Sequence, residues 1–103
     1  MTADSVERTT LDALDSTPHA AVFESAAPRT VRLQLTAGER MPRHRHPESN
    51  VVLYLVDGVL DLTLGEEVYR LEGGDVVRFD GDCDISPHAV EESTALVVFA
   101  PRE

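Results

Sequence analysis

Two of the four histidines, His44 and His46, are separated by a single residue. If this segment is a β-strand, side chains two positions apart lie on the same face, about 6–7 Å apart along the backbone. Two imidazoles at that spacing can bind one metal ion, with Zn–N distances of about 2.0–2.1 Å. The spacing predicts part of a metal site, against the alternative of a solvated strand flanked by Arg43 and Arg45.

A metal site needs further ligands from elsewhere in the chain, and His88 is the candidate for the third. It follows Pro87, whose ring fixes the backbone φ angle and stiffens the approach to the site. His19 lies beside Pro18 near the N-terminus and is left out of the predicted site.

The polar segment at residues 80–86 has more ordinary interpretations. Cys83 is the only cysteine, and a plain loop or core thiol is favoured over a metal ligand or a nucleophile. Asp80, Asp82 and Asp84 alternate like calcium-binding carboxylates, but the distal glutamate of the calcium loop pattern is missing. We therefore predict a solvated acidic loop.

Short β-strands must position these residues. Apolar and polar side chains alternate over residues 31–35 and 59–64 with the period of a half-buried strand. Further strands are predicted at residues 51–56, 68–71, 76–79 and 95–100, and Asp57-Gly58 is a strong hairpin signal. Tyr54 and Phe79 are candidates for lining a barrel interior, or are ordinary core residues. The pattern predicts an all-β sandwich or barrel of about eight strands.

The N-terminal segment has a different character. Residues 1–17 are rich in Thr, Asp and Ser, with one short helical turn predicted over residues 5–14. We expect this segment to be an arm that is mobile or packs against an edge, and residues 18–103 to form a single β-barrel domain.

Two segments resemble the motifs of the cupin superfamily. Gly38-Glu-Arg-Met-Pro-Arg-His44-Arg-His46, followed by Asp57-Gly58, resembles the first motif, with its glycine, its His-x-His pair and its closing glycine. Gly74-Asp75-Val-Val-Arg-Phe79, followed by Pro87-His88, resembles the second, and the two motifs span about residues 38–92. The resemblance implies a cupin-type jelly-roll β-barrel in which His44, His46 and His88 bind Fe, Mn, Ni, Zn or Cu.

The sequence departs from the family pattern at the glutamate ligand. Counting from His46 places Asn50 at that position, whereas counting back from Gly58 places Val51 there, and Glu48 lies nearby. The metal site implied by the resemblance is therefore His44, His46 and His88, with Asn50 or Glu48 completing or tuning it. Three neutral ligands would leave the ion its full charge and an open position for water, oxygen or an anionic substrate.

Composition limits the partners and the location of the protein. The 103 residues carry 19 acidic and 9 basic side chains, a net charge of −10, so nucleic acid and anionic membranes are not expected as partners. The single cysteine and the absence of a long apolar run predict a cytoplasmic protein. The thin aliphatic core of so short a chain favours a homodimer.

Three functions are compatible with the sequence. The first is a metal-dependent enzyme of the oxygenase or isomerase type that acts on a small molecule in the barrel, with no general base identified. The second is a module that binds or senses a small molecule or metal without turnover, which the missing glutamate favours. The third is an oligomer whose pocket has decayed.

Overall fold

The computed structural model describes residues 6–102 and shows an all-β protein with one turn of 3₁₀ helix at Leu11–Ala13. The eight strands are β1 (His19–Ala21), β2 (Arg29–Leu35), β3 (Ser49–Asp57), β4 (Val59–Leu64), β5 (Glu67–Glu72), β6 (Val76–Asp80), β7 (Ile85–Ala89) and β8 (Ser93–Pro101). Residues 1–5 and 103 lie outside the described part of the chain.

The strands form two antiparallel sheets. The larger sheet has the order β1-β2-β8-β3-β6, and the smaller has the order β5-β4-β7. The core lies between them, because alternate residues of each strand point inward while their neighbours point to the outer face. In β4, for example, Leu60 and Leu62 are fully buried, whereas Asp61 and Thr63 are only partly so. This is the predicted jelly-roll architecture.

Two strands were not predicted from the sequence, β1 and β7. β1 has only three residues, which is too short to show a period. β7 has the sequence Ile-Ser-Pro-His-Ala, in which Ser86 and Pro87 obscure the apolar alternation, and it lies at the edge of its sheet, where proline is tolerated. These two strands carry His19 and His88, so their absence from the prediction bears directly on the site.

Residues 11–16 of the predicted N-terminal arm are held on the outer face of β2 by a buried arginine. The guanidinium of Arg32, whose residue is only 3% exposed, donates hydrogen bonds to the backbone oxygens of Leu11 at 2.9 Å and Ser16 at 2.8 Å. The helical turn is shorter than predicted, because it contains only Leu11–Ala13, and the start of the predicted segment lies outside the described residues. In residues 6–102 no helix has the length and hydropathy needed to cross a bilayer.

Candidate functional site

A cavity of about 320 Å³ lies between the two sheets, and its mouth is where the lining residues His19, Arg29 and Arg43 are exposed to solvent. Its walls are apolar and come from both sheets, and they include Val31, Leu33, Val51, Leu62, Val97 and Phe99. The polar side chains that line it are His19, Arg29, Arg43, His44 and His46. The cavity therefore combines an apolar interior with a set of nitrogen-bearing side chains.

The segment that carries His44 and His46 is not a strand of either sheet, but backbone hydrogen bonds hold it in place. His44 exchanges two such bonds with Ile85 at the start of β7, at 3.0 and 2.8 Å. The amide of His46 donates to the backbone oxygen of Gly81 at 2.9 Å, and the amide of Gly81 donates to the backbone oxygen of Ser49 at 2.9 Å. The predicted alternation still holds, so both imidazoles line the cavity.

The intervening arginine points the other way, toward the acidic loop. Arg45 pairs with Asp84 at 2.9 Å and Asp82 at 3.4 Å, and Arg102 pairs with Asp80 at 2.9 Å. The three aspartates are therefore paired with arginines while their side chains stay accessible to solvent, in line with the predicted solvated acidic loop. Their charge is balanced by arginine, and they hold the outer side of the histidine segment.

The two imidazoles lie edge to face, with ring centroids 5.0 Å apart and an interplanar angle of 84°. His44 Nδ1 donates to the backbone oxygen of Pro42 at 3.1 Å, since a carbonyl oxygen can only accept, and this leaves Nε2 outside that hydrogen bond. The His46 ring packs on Phe99 with centroids 4.7 Å apart. Burial lowers the pKa of His46 below its usual value, and the neighbouring His44 and Arg29 lower it further, which favours the neutral form of this ring.

The structure does not bring His88 to this pair. Pro87 lines the cavity beside Leu62, so the next residue of β7, His88, lies on the outer face of the smaller sheet. There it is directly opposite Asp61, whose carboxylate accepts two hydrogen bonds from Arg70 at 2.7 and 3.0 Å. His88 thus lies beside the Asp61–Arg70 ion pair, because alternate residues of β7 face opposite sides and Pro87 has the side that faces the cavity.

Asn50 and Glu48, the candidates for a further ligand, are also outside the cavity. Asn50 Oδ1 accepts a hydrogen bond from Arg78 at 3.1 Å on the outer face of the larger sheet. The neighbouring Val51 has the inward position and lines the cavity, so counting back from Gly58 identifies the inward residue. Glu48 is exposed and does not line this cavity.

These positions decide whether the residues fit a metal ion of the family type. Among residues 6–102, no group of three or more His, Cys, Asp and Glu side chains is arranged to hold one. Of the four predicted ligands only His44 and His46 lie together, and the inward residue where the family has glutamate is an apolar valine. The side chains of the described residues therefore do not fit a resident metal held by three or more protein ligands.

Two residues of the cavity mouth were not predicted, His19 and Arg29. His19 is paired with Leu33 in the ladder of β1 and β2, and so it shares the inward face of that leucine. Arg29 lies two residues before Val31 on β2, so the two side chains share a face. Extending the predicted strand back by two residues would have placed Arg29 inward. Of the two aromatic candidates, Phe79 lines the cavity, whereas Tyr54 lies on the outer face and is 38% exposed.

Cys83 is half-buried and packs against the core, in line with the interpretation as a plain thiol. Its Sγ donates a weak hydrogen bond to the backbone oxygen of Asp80 at 3.5 Å. Burial raises the pKa of the thiol, which disfavours the thiolate needed for a nucleophile.

Comparison with known proteins supports the fold. A family model described as Cupin domain matches residues 31–100. The structure is similar to that of TT1209 from Thermus thermophilus, with 25% identity, a TM-score of 0.77, and coverage of 95% of this chain and 100% of the other. It is also similar to KdgF from Halomonas sp., with 20% identity, a TM-score of 0.71, and coverage of 99% and 92%.

A protein of unknown function from Streptococcus pyogenes, SPY1581, is 24% identical, with a TM-score of 0.66 over 73% of this chain. This chain covers 65% of the length of that protein, which is therefore longer than the shared fold. Among proteins with curated descriptions, none matches the sequence. Cupins commonly bind metal ions, whereas the part of this chain that the structure describes forms no group of three or more metal-binding side chains.

Proposed function

Because the chain belongs to the cupin family, whose domain model matches residues 31–100, we propose that it is a binding module that holds a small, largely apolar molecule between its two sheets. The observation that carries the proposal is the cavity of about 320 Å³, whose size lies within the range of small-molecule sites. The apolar side chains of its walls enclose a space, whereas in a close-packed protein core such side chains contact each other.

The side chains at the cavity favour binding over metal-dependent turnover. Only two of the four predicted metal ligands line it, and no aspartate or glutamate of the described residues lines it. Contact with the apolar walls alone would stabilise a bound apolar molecule, by about 25 cal/mol per Å² of apolar surface removed from water. The imidazoles of His44 and His46 would then contact the polar end of that molecule.

The test is a cavity-filling variant with a matched control. Val31→Phe places a larger ring on the cavity wall, whereas Val98→Phe places the same ring on the outer face of the neighbouring strand β8. Titration calorimetry with 1-octanol and 4-propylbenzyl alcohol should show binding to the wild type and to Val98→Phe, and at least tenfold weaker binding to Val31→Phe. Failure of both alcohols to bind the wild type would contradict the proposal, as would equal binding by the two variants.

A metal-dependent oxygenase or isomerase is the second candidate, and the 5.0 Å separation of the His44 and His46 rings is the observation in its favour. Elemental analysis for Fe, Mn, Ni, Zn and Cu separates the two functions. We expect the native protein and a His44→Ala, His46→Ala double variant to contain equally little metal. One equivalent of metal in the native protein that is lost in the double variant would support the enzyme instead.

The homodimer and the cytoplasmic location both stay predictions. For the homodimer, the outer face of the larger sheet exposes Val52, Tyr54, Val56 and Val76, each at least 37% accessible. A second copy would cover such a face, and sedimentation equilibrium at micromolar concentration tests for it. A mass equal to one chain at all concentrations would contradict it.

A further inference from the structure

We infer that the molecule held in the cavity carries a single carboxylate, and that Arg29 binds this group at the mouth. The inference rests on the proposed function, because it names the class of molecule that the same cavity would take. It adds a residue and a charge to a site that was predicted from its histidines.

The first observation is the charge of the cavity lining. Acidic residues outnumber basic ones by 19 to 9 in the chain, yet no aspartate or glutamate of the described residues lines the cavity. Two arginines and three histidines do so. The lining thus has the opposite charge to the rest of the surface, and at physiological ionic strength the surface charges are screened beyond about 8 Å.

The second observation is the state of the Arg29 side chain. Its guanidinium carbon lies 4.4 Å from the centroid of the Phe99 ring, in a cation–π contact at the cavity wall. No carboxylate of residues 6–102 lies within ion-pair distance of it, in contrast to Arg43, Arg45, Arg70 and Arg102. Stacking on a ring leaves the N–H edge of a guanidinium available, and that edge matches a carboxylate in a bidentate geometry.

The third observation limits the ligand to one negative charge. Arg43 also lines the cavity, but its charge is shared with Asp84 at 3.6 Å. His46 contacts the same Phe99 ring, with centroids 4.7 Å apart, so its imidazole lies near the guanidinium as a further hydrogen-bond partner. Of the two cavity arginines, Arg29 is therefore the one without a carboxylate partner in the described part of the chain, and a monoanion balances it.

The experiment compares octanoate with 1-octanol, which share an apolar chain and differ in charge. Both are titrated at pH 7.5 and constant ionic strength into the wild type, Arg29→Gln, Arg29→Lys and the control Arg78→Gln. Arg78 lies on the outer face, bonded to Asn50, so its loss changes the net charge equally without touching the cavity. Arg29→Gln should weaken octanoate binding at least tenfold, the scale of a lost charge-assisted hydrogen bond, and change 1-octanol binding less than twofold.

The remaining variants separate a specific contact from a general field. Arg29→Lys keeps the charge but loses the planar fork, and it should bind octanoate with an affinity between those of the wild type and Arg29→Gln. Equal weakening by Arg29→Gln and Arg78→Gln would overturn the inference, because net charge would then explain the effect. Parallel loss of octanoate and 1-octanol in Arg29→Gln would overturn it as well.

The outcome also distinguishes this inference from the function on which it rests. If the wild type binds 1-octanol but not octanoate, the carboxylate assignment fails and the apolar binding site stands. If it binds neither compound, the proposed function fails and the inference with it. Arg29 is exposed at the start of β2, and thermal unfolding of each variant confirms that the fold is retained.

Discussion

Replacing Gly81 with alanine should displace the segment that carries His46. A Cβ atom at this position would lie 2.8 Å from the backbone oxygen of Ser49 and closer still to that of His46. Both neighbours are backbone atoms, so neither can rotate away as a side chain would. The acidic loop and the histidine segment must therefore separate, and His46 would lose its position at the cavity.

The size of the effect follows from the contacts that separation breaks. Gly81 makes two backbone hydrogen bonds to this segment. Its oxygen accepts from the amide of His46, and its amide donates to the oxygen of Ser49. At about 1 kcal/mol net for each bond, the free energy of unfolding falls by about 2 kcal/mol. For a domain of this size that corresponds to a decrease in Tm of about 8–16 °C.

Gly73→Ala is the matched control. A Cβ atom there would have its nearest neighbours at 3.5 Å, an ordinary contact, so we expect no loss of stability and a gain of up to about 1 kcal/mol. Thermal unfolding followed by circular dichroism gives the Tm of both variants, and the NMR signals of the His46 ring report its surroundings. Melting of Gly81→Ala within about 2 °C of the control, with unmoved His46 signals, would refute the reasoning.

Two further predictions concern the outer faces of the sheets. Arg32→Met removes the donor to the carbonyls of Leu11 and Ser16, so hydrogen exchange of the Leu14 amide should accelerate at least tenfold. The global Tm should change little, because the variant also removes a buried charge. Unchanged exchange at Leu14 would contradict the docking of the arm. Hydrogen bonds from Arg70 lower the pKa of Asp61 in the folded state, and this stabilises the fold above the unfolded value of about 3.9 and is lost as pH falls through the folded value. Asp61→Asn should therefore be less stable than the wild type in urea at pH 7, and this difference should shrink as the pH falls below about 3.9. An equal difference at pH 7 and pH 2 would contradict this sign.

Local pattern alone predicted most of the strands. The alternation in β2 and β4 and the Asp57-Gly58 turn depend on residues that are close in sequence, so they can be recognised without tertiary context. The same is true of the His-x-His spacing, since two side chains of one segment share a face whatever packs against it. The resemblance to the cupin motifs added the arrangement of the strands, which the family match confirms.

The inward face of a strand was harder to predict where apolar residues do not alternate with polar ones. Residues 51–56 are apolar throughout, so the sequence does not state which side of β3 is inward, and the interior placement of Tyr54 was wrong while that of Phe79 was right. In the same way Asn50 and Val51 were indistinguishable by counting. A shift of one residue exchanges the two faces of a strand, and only the packing of the second sheet selects between them.

The convergence of distant residues was decided by the tertiary structure. His88 is on the outer face because β7 pairs with β4 in the register that sets Pro87 opposite Leu62, and nothing local to Pro87-His88 fixes that register. Arg29, His46 and Phe99 meet at the cavity because β2 and β8 pair along their length and the histidine segment folds back over the mouth. Sequence determined which side chains share a face within one strand, whereas long-range pairing determined which faces meet, because that pairing depends on contacts between residues far apart in the chain.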